Sequence, residues 1–269
     1  MSKPMLQINN IHKTFNPGTI NEKKALCGVD LCLNEGDFAC VIGGNGAGKS
    51  TMLNAVAGSW PVDDGSIIID GVDVTGLPDY KRASLIGRVF QDPMIGSAAT
   101  MQIEENMALA ARRGQKRSPL KFQITNKERE EFKKALSILD LGLENRLTAK
   151  VGLLSGGQRQ ALTLLMATLQ TPKILLLDEH TAALDPKTAA KVLDVTEKIV
   201  AKSNLTTLMI THNMKDAITH GNRLIMMNEG KIILDISGEE KKKLTVEDLL
   251  HKFTLASGEE FSNDQALLA

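Results

Sequence analysis

Apolar and polar residues alternate in Leu6-Gln7-Ile8-Asn9-Asn10-Ile11 and again in Val29-Asp30-Leu31-Cys32-Leu33, the period of half-buried strands. Asn34-Glu35-Gly36-Asp37 reads as the turn into the next element. That element, Phe38-Ala39-Cys40-Val41-Ile42, is apolar throughout, and Met52 to Ala57 beyond it is apolar at helical spacing up to Gly58. Ser66 to Ile69, the Asp70-Gly71 turn and the strand Leu85 to Phe90, ending at Gln91, follow.

From Asp92 to about Thr148 the pattern turns helical. Thr125-Asn126-Lys127-Glu128 is a capping box, and Phe132, Ala135, Leu136 and Leu139 recur at helical spacing until Gly142. Arg112, Arg113, Lys116, Arg117 and Lys121 mark a basic, polar stretch that reads as a solvated loop, with contact to lipid headgroups or a partner as the alternative. A helix over Arg159 to Leu169 is expected to stop before Pro172, and Ile174-Leu175-Leu176-Leu177 is a continuous apolar run, as in a parallel strand covered on both faces. Asp185 and Pro186 open a helix to about Lys202, and Thr206 to Ile210 is the next strand. Arg223 to Met227 and Lys231 to Ile236 pair through the Glu229-Gly230 turn, and Thr245 to Phe253 forms a terminal helix. Strands alternating with helices predict an α/β fold with an inserted helical subdomain.

With 269 residues and 42% hydrophobic content the chain can bury a sizeable core. Thirty-two basic residues balance thirty-two acidic ones, so no global charge draws it to nucleic acid, and no nucleic-acid partner is expected. Cys27, Cys32 and Cys40 lie in apolar stretches without C-x-x-C spacing, which suits buried thiols in a reducing compartment, with neither a disulfide nor a metal site. The start lacks the apolar region of a signal peptide, and no run approaches the ~18 apolar residues of a spanning helix, so a soluble chain is expected.

The chemistry concentrates in Gly43-Gly44-Asn45-Gly46-Ala47-Gly48-Lys49-Ser50-Thr51, set between a strand and a helix. Glycines let the backbone turn several N–H groups onto one anion, and the following helix adds its N-terminal partial charge. Lys49 would meet the β- and γ-phosphates, and the Ser50 hydroxyl would ligate Mg²⁺. Chance produces such a motif in a chain this long with a probability on the order of 1%, so a phosphate-binding loop is the reading. Asp178 ends an apolar strand, where open parallel sheets bind ligands, and would hold Mg²⁺. Glu179, on the other side of that strand end, is the candidate to polarise an attacking water. Leu154-Ser155-Gly156-Gly157-Gln158-Arg159-Gln160 is a second glycine-bearing anion cradle at a helix start.

The loop at 43–51, Gln91, LSGGQRQ at 154–160, the strand-Asp-Glu at 174–179, Ala183-Leu184-Asp185 and His212 occur in this order, and together they resemble the nucleotide-binding subunit of an ATP-binding cassette (ABC) transporter. The resemblance spans about residues 5 to 237, and LSGGQ separates this family from other P-loop ATPases. It implies a P-loop NTPase core, a mixed sheet flanked by helices, with an N-terminal antiparallel β-subdomain. Residues 1–91 and 166–240 would form the core, about 92–165 the helical subdomain, and 241–269 a C-terminal helix and tail.

The resemblance further implies that Gly43, Asn45, Gly46, Ala47, Gly48, Lys49, Ser50 and Thr51, with Asp178, bind Mg·ATP in one subunit. Ser155, Gly156, Gly157 and Gln158 of a second copy would close over the same γ-phosphate. His212 would hydrogen-bond the γ-phosphate and Asp185 would sit at the dimer seam. Gln91 would reach the metal and link nucleotide to the helical subdomain, and Phe15 would stack on adenine. The expected setting is peripheral, on the cytoplasmic face of a bacterial membrane. The expected partners are a separate permease and an extracytoplasmic solute-binding protein, and the expected activity is import of a small solute such as an amino acid. A soluble ABC ATPase that assists assembly, for example iron–sulfur cluster loading, is the alternative. His180 stands where the family usually has proline, and Asn16 to Lys24 is longer than a tight turn. The run from Asp178 to Thr188 is similar to ATPases that serve branched-chain amino-acid-type permeases.

Overall fold

The computed structural model describes residues 3–114 and 123–257. In chain order the elements are β1 (Pro4–Phe15), β2 (Lys23–Asn34), β3 (Phe38–Ile42), α1 (Lys49–Ala57), β4 (Asp64–Ile69), β5 (Val72–Asp73), α2 (Asp79–Arg82) and β6 (Ile86–Val89). There follow α3 (Ile103–Ala111), α4 (Asn126–Ser137), α5 (Gly156–Thr168), β7 (Ile174–Asp178), α6 (Pro186–Ser203), β8 (Thr206–Ile210) and α7 (Met214–Thr219). The chain then runs through β9 (Arg223–Asn228), β10 (Lys231–Ser237), α8 (Gly238–Lys242) and α9 (Val246–Ser257).

Two sheets result. The antiparallel one has the order β2-β1-β4-β5, and the mixed one the order β10-β9-β3-β8-β7-β6. Within the mixed sheet β9, β3, β8, β7 and β6 are parallel, and β10 pairs antiparallel at the edge. β3 and β8 are buried along their whole length because helices cover both faces, which is why their sequences do not alternate. One face of the mixed sheet, with Ala39, Val41, Leu176 and Ile210, packs with α1 and the antiparallel sheet. The other, with Cys40, Ile42, Leu177 and Met209, packs with α3, α4, α5, α6 and α9.

Arg82 pins the foot of α1. It is 1% exposed and has no ion-pair partner among the described residues. Its Nη1 donates to Ala55 O (2.8 Å) and Val56 O (2.9 Å), its Nε to Leu77 O (2.8 Å) and its Nη2 to Thr75 O (3.0 Å). A cation at the carbonyl end of a helix satisfies orphan acceptors and complements the dipole.

The sequence expectations need adjustment at several points. β2 starts at Lys23 rather than Val29, because pairing with β1 extends to the Phe15–Lys23 couple. α5 starts at Gly156 rather than Arg159, since Ser155 and Gln158 form a reciprocal capping box that tolerates glycine in the first turn. α2, α7 and α8 have no counterpart in the periodicity reading; each is six residues or fewer, too short for a 3.6-residue period to register. Cys32 is exposed and Cys27 half-buried, leaving Cys40 as the buried thiol. On β2 the even-numbered positions near Cys32 face outward, so an apolar stretch there does not imply burial. Of the basic cluster, Lys116, Arg117 and Lys121 lie outside the described residues.

Candidate nucleotide site

The loop at 43–48 is delivered by the buried strand β3 and closes into α1. Gly48 is the N-cap of α1 at φ 102°, and no side chain caps the first-turn amides, which therefore remain available to an anion. Gly43, at φ 148°, lies so close to the Met227 carbonyl that any side chain there would collide with it. Lys49 is 5% exposed, and its Nζ donates to Gly43 O (2.7 Å) and Gly44 O (3.0 Å). Burial pulls its pKa down, against the pull of Glu179 and Asp178.

A cleft of about 250 Å³ opens over this loop. Phe15 and Lys23 from the β1–β2 hairpin, residues 45–51, and Glu179 and His212 line it. Phe15 meets Trp60 edge-on, with ring centroids 5.2 Å apart and an interplanar angle of 83°. Glu179 adopts φ +45°, its amide donates to Ile210 O (3.1 Å), and its Oε1 accepts from His212 Nε2 at 2.6 Å. The strand end thus separates two carboxylates. Glu179 faces the cleft, and Asp178 faces Arg88, whose Nη2 is 3.7 Å from Asp178 Oδ2. Arg88 also donates to Asn54 Oδ1 (2.8 Å) and Ser59 Oγ (3.0 Å), and stacks over Phe90 at 4.5 Å. Burial raises the Asp178 pKa, and Arg88 opposes it.

The second cradle lies elsewhere. Ser155 Oγ accepts from the Gln158 amide (3.3 Å) and Gln158 Oε1 from the Ser155 amide (3.2 Å). Neither these residues nor Gly156 and Gly157 line the cleft over residues 45–51. Gly157 is buried against Thr188 in the first turn of α6, and Gly156 borders Leu184. Asp185 caps α6 through the Thr188 amide (3.1 Å), and hydrogen bonds from Thr188 hold its carboxyl below the usual range. Asp185 is therefore beside the second cradle, not the cleft. Gln91 is exposed, two residues past β6, and does not line the cleft either. The preceding carbonyl, Phe90 O, is held by Gln160 Nε2 (2.9 Å), and Met94 sits on the Arg159 guanidinium. His180 is 2% exposed and bonds Thr196 Oγ1 at 3.1 Å, so the imidazole occupies a pocket on α6.

A family model described as ABC transporter matches residues 26–182. The chain belongs to that family. Among relatives of this ABC ATPase, a tyrosine transport ATP-binding protein of Clostridioides difficile (strain R20291) is 45% identical over 257 residues, 94% of this chain and 100% of that protein. The spermidine/putrescine import ATP-binding protein PotA of Haemophilus influenzae (strain 86-028NP) is 33% identical over 89% of this chain, which spans 59% of PotA's length. A dimeric cassette, MJ0796, in a post-hydrolysis state bound to ADP and Pi superposes with TM-score 0.74 at 28% identity, covering 87% of this chain and 98% of that one. The ADP conformation of the cassette MJ1267 gives TM-score 0.75 at 28% identity over 99% and 98%.

The donor chemistry of the ABC ATPase suits its cofactors, ATP and Mg²⁺. Ser50 in the cleft lining and Asp178, which is outside that lining and faces Arg88, offer hard oxygens, and among the described residues no cluster of three or more His, Cys, Asp or Glu forms a cage. Mg²⁺ binds through one or two such ligands plus substrate phosphates. Bound there, it would neutralise developing phosphate charge. Motif reading overlooks Lys23, Arg88 and Thr188. A lone charge in the apolar run Leu85 to Phe90 is the signal that could have found Arg88, whereas only strand register brings Lys23 forward.

Proposed function

We propose that two copies of this chain close on ATP, each supplying the loop at 43–51 to one nucleotide and Ser155, Gly156, Gly157 and Gln158 to the other. The observation that carries this reading is that the lining of the phosphate cleft in one copy contains none of the signature residues, which supports a second copy as their source. Lys49 and the α1 amides bind the β- and γ-phosphates, Phe15 stacks on adenine, and Ser50 and Asp178 hold Mg²⁺. Glu179 polarises the attacking water. His212, which bonds Glu179 Oε1, moves its hydrogen bond to the γ-phosphate. Gln91 swings in from its exposed position, and Asp185 lies at the seam between the copies.

The cycle powers a separate membrane permease that imports a small solute. The 45% identity to a tyrosine transport subunit makes an amino acid, tyrosine first, the solute to test. The groove beside Tyr80, Phe90, Leu109, Phe132 and Met166 offers the permease an apolar seat with Arg112, Arg113 and Glu128 at its edge. Residues 1–91 and 166–240 act as the nucleotide-holding body and about 92–165 as the arm that carries the signature. The subunit is peripheral, on the cytoplasmic face of a bacterial membrane, and an extracytoplasmic solute-binding protein completes the system. No helix among the described residues is long and apolar enough to cross a membrane.

Glu179→Gln tests the core of this reading. It removes the base and keeps the hydrogen-bonding shape, so ATP turnover falls by at least about 100-fold, while ATP still binds and a dimer accumulates in size-exclusion chromatography. Turnover at the wild-type rate, or a chain that stays monomeric with ATP, refutes it.

A further inference from the structure

At the base end of the cleft, Phe15 and Lys23 are direct partners across the β1–β2 pair. Opposed residues of antiparallel strands project from the same face, with Cβ atoms ~5 Å apart. An aromatic ring placed for a base therefore carries an ammonium beside it. The stem of Lys23 leads its Nζ over the phosphate loop, to 3.3 Å from the point where a Cβ on Gly46 would stand.

The surrounding charges give this lysine its meaning. Lys13, on the neighbouring strand, is engaged by Asp63 at 2.9 Å. Lys49 is turned inward onto two loop carbonyls. Glu179, the carboxylate in the cleft, is taken by His212. Among the described residues, Lys23 has no carboxylate or hydrogen-bond acceptor, although its side chain lines the cleft. An exposed ammonium with no partner among the described residues is a donor free for a ligand, and the ligand of this cleft is a polyanion.

We propose that Lys23 is a nucleotide-binding residue that grips the phosphate nearest the ribose. The assignment rests on the nucleotide site proposed above. Strand pairing ties Lys23 to Phe15, the residue assigned to the base, whereas Lys49, Ser50, Glu179 and His212 are the residues assigned above to the terminal phosphates and their hydrolysis. A cation on the α-phosphate meets ATP and ADP alike and feels no charge change during hydrolysis. It adds uniform binding, which lowers KM and leaves the chemical barrier alone.

Calorimetric titration of the full chain with ATP, ADP and adenosine tests this, comparing wild type, Lys23→Ala, Lys23→Arg and Lys49→Ala. The Lys23 side chain is exposed and bonds nothing among the described residues, so Lys23→Ala keeps the wild-type melting temperature. The expected result is a loss of about tenfold in affinity for both ATP and ADP, the worth of one charge-assisted hydrogen bond. Adenosine binding stays unchanged, Lys23→Arg recovers most of the loss, and the kinetic effect falls on KM rather than kcat. Unchanged ATP and ADP affinity overturns the proposal. A loss confined to ATP overturns it too, by moving Lys23 to the γ-phosphate, as does an equal loss for adenosine, which makes the stem a mere base contact. Lys49→Ala separates the levels: if it also leaves ATP affinity intact, the nucleotide site itself is misplaced, whereas a loss there with none for Lys23→Ala sinks this proposal alone.

Discussion

Gly157→Ala is the substitution whose outcome the geometry specifies most sharply. A Cβ at residue 157 lands on Thr188 Cγ2, well inside the 3.0 Å that real Cβ atoms respect, while Thr188 Cβ is 3.5 Å away and Oγ1 4.0 Å. The clash is thus with a single methyl group. That methyl cannot simply rotate aside, because the Thr188 hydroxyl and amide both hold the Asp185 cap. Either the starts of α5 and α6 separate or the cap is lost, and overpacking of this kind costs about 2 kcal/mol. For a chain this long that corresponds to a fall in Tm of roughly 4–8 °C. Thr188→Ser deletes the methyl and keeps the hydroxyl, so the double variant should regain most of the stability while Thr188→Ser alone changes little. Urea unfolding at 25 °C reads all of them. Gly157→Ala within about 0.5 kcal/mol of wild type, or an equal loss in the Thr188→Ser background, refutes the reasoning. The same pair separates packing from phosphate contact. If the double variant is stable yet no longer dimerises on ATP in the Glu179→Gln background, the glycine is needed at the nucleotide as well.

Arg82→Met should destabilise the chain by about 3 kcal/mol, because it takes the guanidinium donor from four carbonyls, two in buried bonds and two in part-buried ones, while relieving one buried charge; a loss below about 1 kcal/mol by urea titration contradicts the role of Arg82 as the pin of α1. His180 is buried neutral, with its pKa lowered to about 4, first by burial and then by His220. The unfolded chain takes up this proton below about 6.5 and the folded one does not, so the contribution is intact above pH 7 and erodes as pH falls from 6.5 toward 4. Stability measured at pH 7 and pH 5 should therefore fall by about 2 kcal/mol more for wild type than for His180→Asn, and parallel pH profiles for the two proteins would exclude the effect.

Sequence pattern went furthest where one local rule decides the outcome. The apolar run at 174–177 reads as a strand covered on both faces and is one, and Asp185-Pro186 opens its helix where the capping rule puts it. Short helices such as α7 escape periodicity, and their boundaries depend on caps such as Asn213, whose side chain accepts from the amides of residues 215 and 216. Motif spacing singles out the loop, Asp178 and Glu179, because each is marked by residues adjacent in the chain. It could not find the Arg88–Asp178 couple, because only β6–β7 pairing sets those residues side by side. Nor could it anticipate that Gln91 stands outside the cleft lining, next to the Phe90 carbonyl that Gln160 holds. The exposure of Cys32 follows from side-chain alternation on β2, which puts it on the outward face with Asp30.

The mixed sheet sorts the buried apolar side chains into two sets that share no member, with α1 rooted in one and α5 in the other. Amino-acid changes in the set around α1 therefore reach the signature helix only through the strands, such as β3, that carry both sets, and the reverse holds. In the proposed dimer every ATP sits between one foundation from each copy. Heritable variation in nucleotide grip and in closure can then accumulate on opposite sides of the same sheet, which lets a lineage retune one step of the cycle without first relearning the other.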